Sequence, residues 1–528
     1  MPKIAVFSGP RSTIANSPAL VTSNKGRLAA DRQIEGTSDH LVPQTLYEPV
    51  TVRIKKFSAH PLEQDAAEVY LDDGKDYWEV ELSPEDGAYL LPYVARRANG
   101  SANGAPFEHS DLNNPDVDFG GRQTFFPDGS RLFADIDRSL GGRDEHGEGS
   151  PLSRIAEFDF IRVLPPAGYT KQGEVAGQDF FPYQPRSIGK FPPAHTMARV
   201  INIVSKALAS GEYAGGIWME GSPHVEETLY WMSLLIDTDL PLVGVSAQRP
   251  HGALSNDGDQ NLVDAAHYVV SGRGSGNGGV GIVDEQIFAA REFKKGDARP
   301  GGYKATGGHG GVLGSTKAPI HIWYRPAYKH TSNSDVALSK LPAAVSFFEY
   351  ADSTSPTTIA IKENDGSLRG DVIAQVHMAK YGHYMAEEDT TDPDVEVDII
   401  ARIKRGLEQE ANSGPHAPKF HGFVLEAAAG TGSALSSQTA ALAVGAYSGM
   451  PVVRVSRGDP EGPLATNPND LTIEGSNLDA TKARVLLRAA MLKLGRLPRA
   501  RDPRKPTADE RTATLAKIAD FQAIFNTH

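Results

Sequence analysis

From Pro193 onward, short apolar runs alternate with segments of helical period, and this alternation limits the possible folds more than any other feature of the chain. Met197 to Ala209 has helical periodicity, Gly216 to Met219 is a short apolar run, Val225 to Ile236 is helical again, and Pro241 to Ser246 is the next run. Strands that alternate with helices form a mostly parallel sheet covered on both faces. Sheets of this kind bind ligands at the carboxyl ends of their strands. The loops to search for chemistry are therefore 9–15, which follows the apolar run Lys3 to Ser8, together with 220–224 and 247–258. A second α/β region extends from Ala344 to His528, with apolar runs at Thr358 to Ile361, Gly422 to Leu425 and Pro451 to Val455. Its helices are expected at Val395 to Glu410, Ser437 to Ala446 and Thr481 to Leu494, the last started by Asp479 ahead of Lys482.

A chain of 528 residues exceeds one ordinary domain. Between Val42 and Ser150 the composition changes: Val50 to Phe57 and Trp78 to Leu82 read as strands, and Ala98 to Gly129 is rich in Gly, Asn, Asp and Pro. The expected organisation is an N-terminal α/β domain over 1–343, interrupted at 42–150 by a β-rich insertion or lid, and a C-terminal α/β domain over 344–528.

Composition removes several classes of function. With no cysteine, the chain has no disulfide, no thiolate metal site and no cysteine nucleophile. A net charge of −13 repels phosphate backbones, so nucleic-acid binding is not expected. No run approaches the roughly 18 to 20 apolar residues of a membrane span. The N-terminal apolar run is too short for a signal peptide, and a cytoplasmic location is expected. The basic stretch Arg496 to Lys505, interleaved with Pro498 and Pro503, reads as a solvated connector before the last helix. Gly274 to Gly279 fits G-x-G-x-x-G but follows a helix and precedes a strand, the reverse of a dinucleotide site. His377 and His383, with Glu387 and Glu388 nearby, lack the one-face spacing of a zinc site. Neither cofactor nor metal is expected.

Three loops carry side chains suited to amide chemistry. In Gly9-Pro-Arg-Ser-Thr13-Ile-Ala15, a hydroxyl placed just after the first strand can attack a carbonyl, although a threonine there is more often a turn or cap residue. In the segment 216–228, Ser222 and His224 face the same crevice if the two strands are neighbours, while Glu226 and Glu227 suit the first turn of the following helix. Lys304, behind Gly301-Gly302-Tyr303, is either a surface charge or a buried base toward a hydroxyl.

These segments occur in the order of the bacterial-type (type I/II) L-asparaginase/glutaminase family, which the chain resembles. Ser12-Thr13-Ile14-Ala15 is similar to that family's Gly-Gly-Thr-Ile-Ala, and Gly221-Ser222 with Glu226-Glu227-Thr228 to its Gly-Thr-Asp-Thr-Met-Glu-Glu-Thr. Gln248-Arg249-Pro250, Ser255 to Gly258 with Asn261-Leu262, Tyr303-Lys304-Ala305 (Phe-Lys-Ser in the family) and Lys329-His330-Thr331-Ser332 continue the series. Val452 to Arg457 and Lys482 to Leu487 resemble the family's C-terminal domain.

The resemblance implies two Rossmann-like α/β domains and a homodimer or homotetramer acting on a small-molecule amide. It implies Thr13 as the acyl-forming nucleophile, Ser222 as the second hydroxyl and Lys304 as its partner lysine. Gly221, His224, Gln178 and Asp179 would contact substrate. The family's aspartate after the second threonine is Pro223 here, which has neither a carboxylate nor an N–H. Glu220, two residues before Ser222, can supply a carboxyl instead. The expected function is hydrolysis of a carboxamide or lactam whose substrate lacks the α-amino-acid head group. The alternatives are asparagine or glutamine hydrolysis and, in another class, a non-catalytic ligand-binding homologue.

Overall fold

The structure, a computed structural model, describes residues 1–9, 43–46, 50–55, 77–82, 89–90, 133, 136, 151–162, 193–249, 254–306, 309–382, 390–411, 418–429, 431–458 and 470–528. Thr13, Gln178 and Asp179 lie outside the described residues.

The strands of the first half are β1 (Lys3–Ser8), β2 (Pro43–Leu46), β3 (Val50–Lys55), β4 (Tyr77–Leu82), β5 (Tyr89–Leu90), β6 (Glu157–Arg162), β7 (Gly215–Met219), β8 (Leu242–Val245), β9 (Gly279–Val283) and β10 (Gln286–Ala289). They are followed by β11 (Phe293–Lys295), β12 (Tyr303–Ala305), β13 (Val312–Ser315) and β14 (His321–Ile322). The helices of this half are α1 (Pro151–Ile155), α2 (Pro193–Ala209), α3 (His224–Leu235) and α4 (Gly258–Val270). Ten strands form one sheet in the order β14-β13-β10-β9-β8-β7-β1-β6-β2-β5. From β9 through β2 every neighbouring pair is parallel, and antiparallel strands extend both edges.

Parallel strands buried on both faces read as unbroken apolar runs, and β7, β8 and β9 are buried at every position. The alternation along a strand divides the core in two. Phe7, Trp218 and Leu242 pack with α2 and α3 on one face, whereas Ile4, Val6, Ile217 and Val243 pack with α4 on the other. Gly244 sets how closely α3 approaches. A Cβ there would lie 2.8 Å from Leu229 Cδ2 and 3.2 Å from Val225 Cγ2. Gly244→Val is therefore expected to cost about 1–3 kcal/mol through overpacking, read as a lower urea midpoint. An unchanged midpoint would mean that α3 can move away freely.

The second half contains β15 (Ala344–Phe347), β16 (Thr357–Ala360), β17 (Gln375–Lys380), β18 (His421–Ala427), β19 (Val452–Ser456) and β20 (Ile473–Glu474). Its helices are α5 (Val397–Ala411), α6 (Ser436–Tyr447), α7 (Ala480–Leu494) and α8 (Ala508–Phe525). Strands β17 to β20 form a parallel four-stranded sheet. Asp479 caps α7 as expected, its side chain accepting the Lys482 backbone N–H at 2.9 Å.

The basic stretch differs from its expected solvated character. Arg496 is 7% exposed, and with Arg499 it pairs with the carboxylates of Glu349 and Glu410. Only the later members, Arg501 and Arg504, pair at the surface, with Asp352 and Asp394. Charge pattern alone does not separate a buried guanidinium clamp from a solvated run, because the acidic partners come from distant segments.

Candidate active site

The order of the large sheet reverses at β1, which has β6 on one side and β7 on the other. This is the switch point where an α/β sheet opens a crevice at its carboxyl edge. Ser8 pairs with Met219, and Met219 with Val245, so the chain leaves β1, β7 and β8 side by side. Gly9 donates its N–H to the Met219 carbonyl at 2.7 Å. A Cβ on Gly9 would lie 2.5 Å from Trp218 Cζ2 and 3.0 Å from Glu220 Cδ, so Gly9 packs directly against those two side chains.

Glu220 is buried, and its Oε2 accepts the Trp218 indole N–H at 2.8 Å. Burial pushes its carboxyl up to about 8, against the opposing influence of Trp218 and Thr228. At neutral pH it is a neutral acid. Next in the loop are Gly221 and Ser222, both half-buried, then Pro223, and then His224 as the first residue of α3. Ser222 Oγ itself is shielded from solvent and has no hydrogen-bond partner among the described residues.

The loop after β8 is held by two polar side chains of α4 and its cap. Asp257 accepts the backbone N–H groups of Gln248 at 3.0 Å and Arg249 at 2.8 Å. Asn261 donates to the Ser246 carbonyl at 2.9 Å and accepts from Asp284 N at 2.9 Å. The motif residues Asp257 and Asn261 thus build the wall of the crevice through backbone groups.

The β11–β12 hairpin forms the other side. Directly opposed residues of an antiparallel pair share a face, and here Lys295 opposes Tyr303 while Lys294 opposes Lys304. Tyr303 points inward, 6% exposed and stacked on Phe293 at 4.4 Å between ring centroids. Lys304 is exposed on the opposite face from Tyr303. The lysine on the Tyr303 face is therefore Lys295, a residue the sequence reading did not select.

Glu226 and Glu227 occupy the first turn of α3 as expected, but both also make long-range bonds. Glu226 Oε1 accepts the Lys295 backbone N–H at 2.7 Å, and the Glu226 carbonyl accepts Lys482 Nζ from α7 at 2.6 Å. Lys482 Nζ also donates to the Ala290 carbonyl at 2.6 Å. Glu227 pairs with Arg484 at 2.7 Å. Burial pushes the Glu226 carboxyl up to about 7 and the Lys482 ammonium down to about 8. One buried brace thus ties the Ser222 loop, the hairpin and α7 together.

Residues 192–301 match the family described as "Asparaginase, N-terminal". This stretch is similar to the N-terminal part of asparaginases. The matched stretch contains Glu220, Ser222, the loop after β8 and Lys295. A glutaminase-asparaginase of Acinetobacter glutaminasificans is 32% identical over 149 residues, 28% of this chain and 43% of the relative. L-asparaginase 2 of Bacillus subtilis (strain 168) is 28% identical over 139 residues, 26% of this chain and 36% of the relative. The chain thus spans less than half the length of these curated relatives. A structure titled as a probable cytoplasmic L-asparaginase from Campylobacter jejuni aligns with 71% of this chain and 88% of its own, at 20% identity and a TM-score of 0.47. Among the described residues no helix is long and apolar enough to cross a membrane.

Proposed function

We propose that the chain is an amidohydrolase that cleaves a carboxamide or lactam C–N bond through a hydroxyl acyl-enzyme. Thr13 Oγ1 attacks the carbonyl carbon, the C–N bond breaks as the nitrogen leaves with a proton, and water then hydrolyses the ester. Ser222 is the second hydroxyl. The β11–β12 hairpin provides the lysine, a role assigned to Lys295 in preference to Lys304 because Lys295 shares the face of Tyr303. The observation that carries this reading is the register of β1 and β7, since it brings the Gly9 exit and the Glu220–His224 loop to one edge of the sheet.

The substrate we favour lacks an α-ammonium group. Pro223 offers no carboxylate, and the Glu220 carboxyl, pushed up to about 8 by burial, is uncharged at neutral pH. A neutral acid is a poor receptor for a cation. The second reading is asparagine or glutamine hydrolysis, favoured by the names of the relatives.

Ammonia and amine release from asparagine, glutamine, simple amides, aromatic amides and lactams separates the two. Turnover of amides without an α-amino group is expected, with Thr13→Ala inactive on the same panel. Preference for asparagine or glutamine would establish the second reading. Saturable binding with no turnover of any member would overturn both and leave a ligand-binding protein. Full activity in Thr13→Ala would remove the nucleophile assignment.

A further inference from the structure

In the middle of α7 an arginine interrupts an apolar stretch. Leu486, Leu487, Ala489 and Ala490 are fully buried, and Arg488 stands half-buried among them. Its Nε donates to the Ala374 carbonyl at 3.2 Å, and its Nη1 lies 3.6 Å from Met197 Sδ, a weak acceptor. Most N–H donors of the guanidinium are thus left without an acceptor among the described residues. Nor does any carboxylate among them form an ion pair with it, because the acids in reach are held by other arginines. Glu227 pairs with Arg484 at 2.7 Å, and the two oxygens of Asp371 accept from Arg369 at 3.1 and 2.9 Å. Burial and the neighbouring Arg484 push the Arg488 guanidinium down to about 10, against the pull of Glu227, so it is still a cation at neutral pH.

Charges taken out of water are ordinarily paired, since desolvation without a partner is costly. Arg488 instead borders a cavity of about 360 Å³. Ala194 and Met197 from the first turns of α2, Ile373, Val376 near the start of β17, and Pro418 supply apolar walls. Asp371 also borders the cavity, with its charge already met by Arg369. The volume falls within the usual range of small-molecule sites, and none of the lining residues belongs to the crevice of Glu220 and Ser222. An unpaired guanidinium on an otherwise apolar wall calls for an anion that brings apolar surface with it.

We propose that this cavity is a second ligand site, which binds a small monocarboxylate with an apolar body. The carboxylate pairs with the Arg488 guanidinium, and the body lies against Ala194, Met197, Ile373 and Val376. The planar fork of a guanidinium matches the two oxygens of a carboxylate. One unpaired cation calls for one negative charge, and the apolar walls favour an organic acid over an inorganic ion. The site is independent of amide hydrolysis and stands whether or not the crevice is catalytic.

Calorimetric titration and thermal melts of the full chain with acetate, butanoate, hexanoate and hexanol test it. Affinity should rise from acetate to hexanoate as the apolar body lengthens, and saturating hexanoate should raise the melting temperature. Hexanol keeps the body without the charge, and it should bind about 10- to 100-fold more weakly than hexanoate. Arg488→Met removes the cation and keeps the bulk of the stem. It should abolish the preference for hexanoate over hexanol while the melting temperature of the free protein stays level or rises, because an unpaired buried charge is gone. An arginine present only to hold the Ala374 carbonyl would give the opposite pattern, a lowered melting temperature with hexanoate binding intact, and that result overturns the proposal. Ala194→Leu leaves the guanidinium in place and narrows the cavity, so it should weaken hexanoate by about 10-fold. Hexanoate affinity unchanged in either variant places the carboxylate elsewhere. That result, or no binding of butanoate and hexanoate by the unsubstituted chain, also overturns the proposal.

Discussion

Replacing Lys482 by methionine is expected to cost about 3–5 kcal/mol of stability at pH 7, the range for removing one member of a buried charged network. Methionine fills the space of the aliphatic stem, so the loss is chiefly that of the ammonium. That ammonium donates to the carbonyls of Glu226 and Ala290 and stands 5.3 Å from the centre of the Tyr230 ring. The buried carboxyls of Glu226 and Glu292 both draw on its charge. Without it, two carbonyls lose their donor and two carboxyls lose a counter-charge in a region from which water is excluded. Adding Glu226→Gln should restore part of the loss, because it removes one of the uncompensated acids while the amide oxygen can still accept the Lys295 N–H. Urea unfolding of the two single variants and the double variant measures both the cost and the coupling. A Lys482→Met loss below about 1 kcal/mol, with simple additivity, would mean that the brace carries no cooperative energy.

The same brace marks the limit of what the sequence makes legible. Parallel strands buried on both faces leave apolar runs, so Gly215–Met219 and Leu242–Val245 are visible in the sequence within a residue or two of their ends. The Asp479 cap is visible for a similar reason, since the side chain and the N–H it accepts are three residues apart. Lys482 and Glu226, by contrast, are separated by 256 positions, and no local pattern marks either as the other's partner. Glu226 therefore reads correctly as a first-turn acid while its bond to Lys295 goes unseen. Lys295 escaped selection in the sequence for a different reason. Side chains alternate along a strand, so Lys304 lies on the opposite face of the hairpin from its neighbour Tyr303, and the lysine on the Tyr303 face is Lys295. The alternation Phe293, Lys294, Lys295 against Tyr303, Lys304, Ala305 contains that information, but only once the register between the two strands is known.

Glu220→Gln is expected to make the protein markedly less sensitive to pH. In the unfolded chain the carboxyl titrates at its ordinary 4.5, and in the fold burial holds it near 8. The fold therefore binds a proton that the unfolded chain has released, and stability falls as pH rises from about 4.5 towards 8. Each pH unit in that window is worth about 1.4 kcal/mol, or about 3 kcal/mol between pH 5 and 7.5. Glu226 acts in the same direction over a narrower range, up to about 7, and is present in both proteins. Lys482, held near 8 in the fold and 10.5 when unfolded, acts in the opposite direction and only above about pH 8. The difference in slope between wild type and Glu220→Gln isolates Glu220. The amide oxygen can still accept the Trp218 N–H, so the two proteins should have similar guanidinium midpoints near pH 5. At about pH 7.5 the variant should be more stable by about 3 kcal/mol. Parallel slopes would mean that Glu220 ionises in the fold at its ordinary pH and stands as a carboxylate beside the Gly9 exit. A carboxylate there could receive a substrate ammonium, and the argument for a substrate without an α-amino group would give way to hydrolysis of asparagine or glutamine.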